Sequence, residues 1–518
     1  MNDVEKINSF GKNFLLSICI TLIIGIVNYA FPILIGLLYG PEILGDYSIL
    51  FYYSILISIP IANGVAPAIS RYIAASFNSD TNQTQKFENI GSKLSADYLI
   101  IVVTIFSLLG FFLFNLNAYD IIIILILISF NVFHHIFRKS LQGQEKFQLL
   151  LKLEIVSFCV FLLFMAAFCI LPYSLNWGYT NILYLLFLPV LMFHLAFNLI
   201  NFISKIKLLN FKTFLKFPKI TIKILRYTFL VGLGSIFGLG ISQIQIIISD
   251  RFLNELELGV LSFWNSAMAP ILLLSVTVTS ILVPRLTRLL ETKTNLVNPF
   301  VNKLNFSISL IIYPIVGLIY LLIEFYPNIL DYLTLYKFQM EIYWLVPILL
   351  SFQVVSNLLS SITISYFSSS EKRIIFNPIA SFLYSCSIII SWILLVPKYG
   401  ILGFAGGMAI GGFFINFTLN ITALIITKGK IGLHIFVLII LNSVNVLCLI
   451  IYPLSSMKFG VIIWSIITVI SLVIGSFITI KILKDKEYSY KNTNQIKDYL
   501  ERDIEDKDSF SQTTQNGK

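Results

Sequence analysis

The sequence predicts an all-α polytopic membrane protein of fourteen transmembrane helices, and three observations carry that expectation. Of its 518 residues, 57% are hydrophobic and only 12% charged, against about 25% charged residues in soluble domains. Apolar runs of about 20 residues, enough to cross a hydrocarbon core of roughly 30 Å as helix, recur along nearly the whole chain. The lysines and arginines fall in alternate loops between those runs, as the positive-inside rule requires.

The first run, 13–38, follows MNDVEKINSFGKN and has no small-residue cleavage site, so it reads as a retained helix rather than a signal peptide. The next six lie at 45–72, 93–115, 119–140, 150–172, 181–203 and 226–249; the last seven lie at 259–285, 304–326, 341–367, 374–397, 401–427, 434–453 and 459–483. With both termini cytoplasmic, 32 of the 36 basic residues fall inside, and only Arg251, Lys337, Lys398 and Lys458 fall outside. A missed or extra helix would scramble that pattern. Its anchor is KIKLLNFKTFLKFPKITIKILR, seven positives without an acid, which reads as a solvated cytoplasmic linker or a basic segment on anionic lipid. The +10 net charge therefore expresses topology and gives no indication of nucleic acid. The tail beyond residue 483 is polar, mixed in charge and expected to be disordered. The five cysteines sit in apolar segments without CxxC spacing, so neither disulfide nor metal is implied.

A repeat underlies the order. GDYSILFYYSILISIPIANGVAPAISR (45–71) and GVLSFWNSAMAPILLLSVTVTSILVPR (259–285) have equal length, and at a step of 214 Gly45 matches Gly259, Ser48 matches Ser262 and Arg71 matches Arg285. These are helices two and eight, which a six-helix repeat superimposes. Helix four exits as RKSLQGQEKF and helix ten as SYFSSSEKRI, both with small or polar residues before Glu-Lys. The expected organisation is a bundle over 1–203, the linker 204–225, a second bundle over 226–427, helices thirteen and fourteen over 428–483 and the tail 484–518. Both halves run in the same direction, a parallel repeat about an axis along the membrane normal, which suits alternating access by rocking.

KNFLLSICITLIIGIVNYAFPILIGLLYGPEILGDYSIL, GVAPAISRYIA, LQGQEKF and VPKYGILGFAGGMAIG together resemble the polysaccharide-exporter branch of the multidrug/oligosaccharidyl-lipid/polysaccharide (MOP) transporter superfamily, the O-antigen type flippases. The resemblance covers essentially the whole chain. It implies a non-enzymatic flippase in a bacterial cytoplasmic membrane. Its substrate would be an undecaprenyl-diphosphate-linked oligosaccharide, its surroundings the membrane lipids, and its partners a polysaccharide polymerase and glycosyltransferases. No cofactor is implied. Rivals are a lipid II flippase, a cation-coupled multidrug antiporter of the same superfamily, and, from another class, a membrane polymerase or glycosyltransferase. The outer loops are too short for a sugar-donor domain, and no phosphate-cradling loop or ATPase site is present.

In the family resembled, helices one, two, seven and eight line the cavity. Lys12, Arg71, Arg226 and Arg285 stand near the inner ends of those helices and suit a diphosphate. The competing reading is an interfacial anchor, since Gly45 to Arg71 is roughly 39 Å of helix. Asn63, Pro67 and Arg71 share one face. Asn28, Asn63, Gln243, Gln245 and Asn265 are the polar residues expected to meet sugar hydroxyls, or else to hold helices together. In helix four, Asn131, His135 and Arg138 fall on one face, with His134 and His135 roughly 21–23 Å deep from Asp120. His135 and Arg138 are ion-coupling candidates, against a structural role. Glu154, Asp250 and Glu324 are further candidates, each near a helix end where a solvated carboxylate costs little.

Overall fold

The computed structural model describes residues 16–76, 81–113, 116–144, 146–170, 179–205, 222–292, 294–312, 331–332, 337–338, 343–370 and 372–428. Lys12, Glu324, most of the basic linker, helices thirteen and fourteen and the tail lie outside the described residues. No strand occurs among those described. The helices are α1 (Leu16–Tyr39), α2 (Pro41–Ile59 continuing through Pro60–Val65 into Ala66–Ser76), α3 (Thr81–Leu113), α4 (Ala118–Gly143), α5 (Phe147–Ile170), α6 (Tyr179–Leu185 with Leu188–Lys205), α7 (Ile222–Gly238 with Gly240–Ser249), α8 (Glu255–Thr292), α9 (Thr294–Ile312), α10 (Leu345–Ser368), α11 (Phe376–Tyr399) and α12 (Ile401–Ile426). Among the described residues ten helices are long and apolar enough to cross a membrane. The chain is a multi-pass membrane protein.

Two boundaries differ most from the sequence expectation. α3 begins at Thr81 rather than 93, because its polar first turns continue as helix and pack: Ile90 is buried, and a Cβ on Gly91 would lie 3.0 Å from Ile69 of α2. α9 begins at Thr294 rather than 304, with Val297, Phe300 and Val301 buried in the core. An apolar run marks the membrane, whereas a helix needs only an apolar stripe.

Two large hydrophobic cores lie among the described residues, beside a small cluster of Ala68, Tyr227 and Ile374. One runs from Ile20 to Phe197, with Tyr47 stacked on Phe187 at 4.5 Å and Phe31 edge-on to Phe161 at 5.3 Å. The other runs from Ile241 to Ala423 and takes in Leu44 and Tyr52 of α2. In the second core, the glycine-rich stretch of α12 presents Gly403, Gly407 and Gly411 four residues apart, hence on one face. Cβ atoms there would lie 2.7 Å from Leu395 C, 2.5 Å from Trp392 Cδ1 and 2.7 Å from Ile388 Cδ1 of α11. Small residues let helix backbones approach where burial alone gives no drive to associate. Trp392 donates its indole N–H to Phe404 O at 3.1 Å across the same contact.

The end caps show why several charged residues stand where they do. Asn117 and Asp120 form a reciprocal capping box that starts α4, and Asn254 and Glu257 do the same for α8. Lys337, one of the four basic residues outside the charge pattern, donates to Leu37 O at 2.8 Å and Leu38 O at 2.9 Å, at the C-terminal end of α1. A cation suits the negative end of a helix. Lys337→Met is expected to cost about 1.5–3 kcal/mol, the worth of hydrogen bonds to a charged group, read as a lower unfolding midpoint in detergent. An unchanged midpoint would remove the capping role.

Candidate functional site

The two bundles meet along a seam that α2 crosses from end to end. At its first turn, Gly45 lies against Leu258 of α8, its absent Cβ 3.3 Å from Leu258 Cδ2. Gly259 lies against Pro41, where a Cβ would stand 2.5 Å from Pro41 Cβ. The two glycines matched by the repeat therefore serve one crossing, and Ser48 and Ser262 are both buried beyond it. The repeat is legible because each helix places a glycine at the same height of one crossing.

Further along, α2 leaves α8 for α7. Pro60 opens a π-helical stretch, Pro60–Val65, that holds Asn63 and Gly64. Such turns mark functional sites more often than ordinary helix does. A Cβ on Gly64 would lie 3.0 Å from Gly232 Cα. Pro67 has no N–H to give Asn63 four residues back, and Ser235 Oγ of α7 donates to Asn63 O at 3.3 Å from the opposite bundle. One turn later the Arg71 guanidinium stands over the Tyr227 ring of α7, Cζ 4.4 Å from its centroid, and 5.7 Å from that of Tyr72. The stripe Asn63, Pro67, Arg71 thus lies on the interbundle seam. α1 reaches α8 through Thr277 Oγ1 donating to Thr21 Oγ1 at 3.1 Å.

Of the expected polar wall, Asn265 donates to Gln245 Oε1 at 3.4 Å, joining α8 to α7, while Gln243 is half-buried and donates to Ser242 at 3.2 Å. Asn28 is half-buried in a second π-helical stretch, Ile26–Ala30 of α1. Arg226 is exposed beside Tyr227, and Arg285 lies on α8. Two residues unremarked in the sequence join this end: Tyr227 carries Arg71, and Arg373 stands 4.7 Å over the Tyr366 ring.

The ion-coupling candidates fare differently. Asp250 is exposed just past α7, its carboxyl held above the ordinary range by partial desolvation and then by Asp46, with Arg251 pulling it down. Glu154 is corrected: α5 begins at Phe147, so the residue sits two turns inside a helix and is fully buried rather than solvated. Its Oε1 lies 3.1 Å from His134 Nε2 and 3.9 Å from Arg138 Nε. His134 and Arg138, four apart, meet Glu154 of α5, and His134 also meets α6. His134 Nδ1 lies 2.6 Å from His194 Nδ1 of α6. His135 is half-buried and its Nδ1 has no hydrogen-bond partner.

A family profile described as Polysaccharide biosynthesis protein matches residues 10–290, more than half of the chain. The chain belongs to that family. No curated protein matches. Among solved structures, this polysaccharide biosynthesis protein is similar to the lipid II flippase MurJ in an inward closed conformation, at 18% identity, 91% of this chain, 100% of that one and TM-score 0.58. It is also similar to a MATE transporter in a bent conformation, at 16% identity, 83% of this chain, 98% of that one and TM-score 0.55. A MOP superfamily transporter from Pyrococcus furiosus matches at 17% identity, 82% of this chain, 96% of that one and TM-score 0.51. The fold of this family member is that of these transporters.

Proposed function

We propose that the protein moves an undecaprenyl-diphosphate-linked oligosaccharide from the cytoplasmic to the outer leaflet of a bacterial cytoplasmic membrane, without catalysing a chemical step. The observation that supports this most directly is the seam. The bundles over 1–203 and 226–427 touch through glycines, prolines, π-helical turns and one arginine, parts suited to two bodies that rock rather than fuse. Arg71, with Arg226, Arg285 and Lys12, offers positive charge to the diphosphate at the cytoplasmic mouth. Asn28, Asn63, Gln243, Gln245 and Asn265 offer hydrogen bonds to the sugars, and the lipid tail stays in the bilayer. Glycosyltransferases supply the substrate and a polymerase consumes it.

In cells lacking the protein, lipid-linked oligosaccharide is expected to accumulate on the cytoplasmic leaflet and surface polymer to be lost, while glycosyltransferase activity in membranes persists. Formation of glycosidic bonds by the purified protein in liposomes would overturn the reading. The orientation has its own check: reporters fused after Lys219 and after Lys484 are both expected to signal cytoplasm. An outer signal at either would reverse or break the proposed topology.

A further inference from the structure

We propose that His134, His194 and Glu154, with Arg138 beside them, form a proton-binding site in the core of the first bundle, apart from the interbundle seam, and that its loading drives the movement of that bundle. The coupling to transport rests on the flippase reading; the binding of the proton does not.

The geometry fixes where protons stand. Two imidazole nitrogens 2.6 Å apart hold one proton between them, because two N–H groups or two lone pairs facing each other repel. His134 turns its other nitrogen, Nε2, to Glu154 Oε1 at 3.1 Å. With Glu154 ionised, His134 Nε2–H donates to it, and two states remain. In the first, both rings are neutral and His194 Nδ1–H donates to His134 Nδ1. In the second, one proton has bound His194 Nε2, the Nδ1–H bond of His194 has broken, and that proton has formed an N–H bond on His134 Nδ1. His134 is then an imidazolium against the Glu154 carboxylate. The states differ by one proton and one unit of charge, with no change in heavy-atom order.

The surroundings make that charge consequential. His134, His194, Glu154 and Arg138 are all buried, with the rings of Phe193 and Phe197 at 5.4 and 4.1 Å from that of His134. Around His134, α4 itself carries His135, Arg138 and Lys139, α5 brings Glu154 and α6 brings His194. Of the other helices packed on α4, α3 carries Glu88, which accepts from Ser140 and Gln144, and α2 carries Arg71, seated on Tyr227. Within the cluster, Glu154 Oε2 and Arg138 Nε are buried without a hydrogen-bond partner among the described residues. Its energy therefore depends on how α4, α5 and α6 sit together. Among the described residues the second bundle carries no copy. The Glu-Lys pairs after helices four and ten are 226 residues apart, and the same step takes His134 to Ser360 and Arg138 to Ile364. There the buried polar links are neutral, running Asn305 to Thr363 to Asn420 to Asn416. A charge that loads one bundle alone biases one body against the other.

The test uses the full chain with ¹⁵N-labelled histidine in lipid nanodiscs. Only four histidines contribute ring signals. Between pH 8 and 5, solid-state spectra are expected to show His134 becoming an imidazolium while His194 exchanges its Nδ1–H tautomer for Nε2–H. Glu154→Gln, which keeps an oxygen to accept from His134, should move that transition down by about one pH unit or more as the counter-charge is lost. Unchanged tautomers in the wild type, or an identical transition in Glu154→Gln, would overturn the site. Should Glu154→Gln not fold, Glu154→Asp and the wild-type spectrum decide it. For the coupling, a fluorescent undecaprenyl-diphosphate oligosaccharide is followed in proteoliposomes with and without a pH gradient. The ratio of the two rates should exceed unity in the wild type and fall to unity in Glu154→Gln. A wild-type ratio of unity, with active flipping, removes the coupling. Normal histidine titration with no flipping under any condition removes the flippase reading and leaves the proton site standing.

Discussion

Gly259→Val is expected to reduce flipping at least tenfold, with a smaller but clear loss for Gly259→Ala and little for Gly45→Ala. The two glycines occupy matched places in the repeat, yet what faces them differs. A Cβ at position 259 would stand 2.6 Å from Pro41 Cα and 2.5 Å from Pro41 Cβ, atoms fixed to the backbone at the start of α2. Room can be made only by parting α2 from α8. At position 45 the nearest atom is Leu258 Cδ2 at 3.3 Å, the end of a side chain that can turn aside. Overpacking typically costs about 1–3 kcal/mol, and about 1.4 kcal/mol is tenfold in an equilibrium between bundle arrangements. Unfolding midpoints and flipping rates per folded molecule separate a loss of fold from a loss of movement. Equal effects of alanine at 45 and 259 would refute the crossing as described.

The all-helical membrane fold and the paired glycines of α2 and α8 are legible in the sequence, because each depends on features written locally: apolar length and a glycine on each side of one crossing. The stripe Asn63, Pro67, Arg71 was legible from helical spacing, though what it faces was not, since Tyr227 and Ser235 come from beyond the linker. The buried cluster was harder. Ionisable residues stand in the apolar runs of α4, α5 and α6, and each needs a partner at membrane depth. That signal was present in His134, Arg138, Glu154 and His194. It is hidden because the helix of α5 begins at Phe147, three residues before its expected apolar run, and because His135 shares a helical face with Asn131 while His134 shares one with Arg138. The starts of α3 and α9 were hidden for a related reason, polar turns that stay helical by packing on a neighbour.

Arg71 is expected to be the most sensitive of the charged residues on the seam, because two roles meet in it. Its guanidinium, over the Tyr227 ring, ties α2 of the first bundle to α7 of the second by an interaction of about 0.5–2 kcal/mol, and under the proposed function its charge also meets the diphosphate at the mouth. Arg71→Ala removes both and should lower flipping about tenfold or more. Arg71→Glu reverses the charge and should abolish it. Lysine keeps the charge but loses the planar fork, so Arg71→Lys should fall between alanine and the wild type. The ring is tested separately: Tyr227→Phe keeps the aromatic face and should stay near wild type, whereas Tyr227→Leu should slow flipping severalfold with the arginine intact. Arg226, exposed one residue before Tyr227, supplies the comparison, since a general need for positive charge at this end would make Arg226→Ala as damaging as Arg71→Ala. An interfacial anchor would show another pattern, with Arg71→Lys silent and Arg71→Glu lowering abundance rather than turnover. Normal turnover in every Arg71 and Tyr227 variant would mean that GDYSILFYYSILISIPIANGVAPAISR ends in arginine only to mark the inside of the membrane.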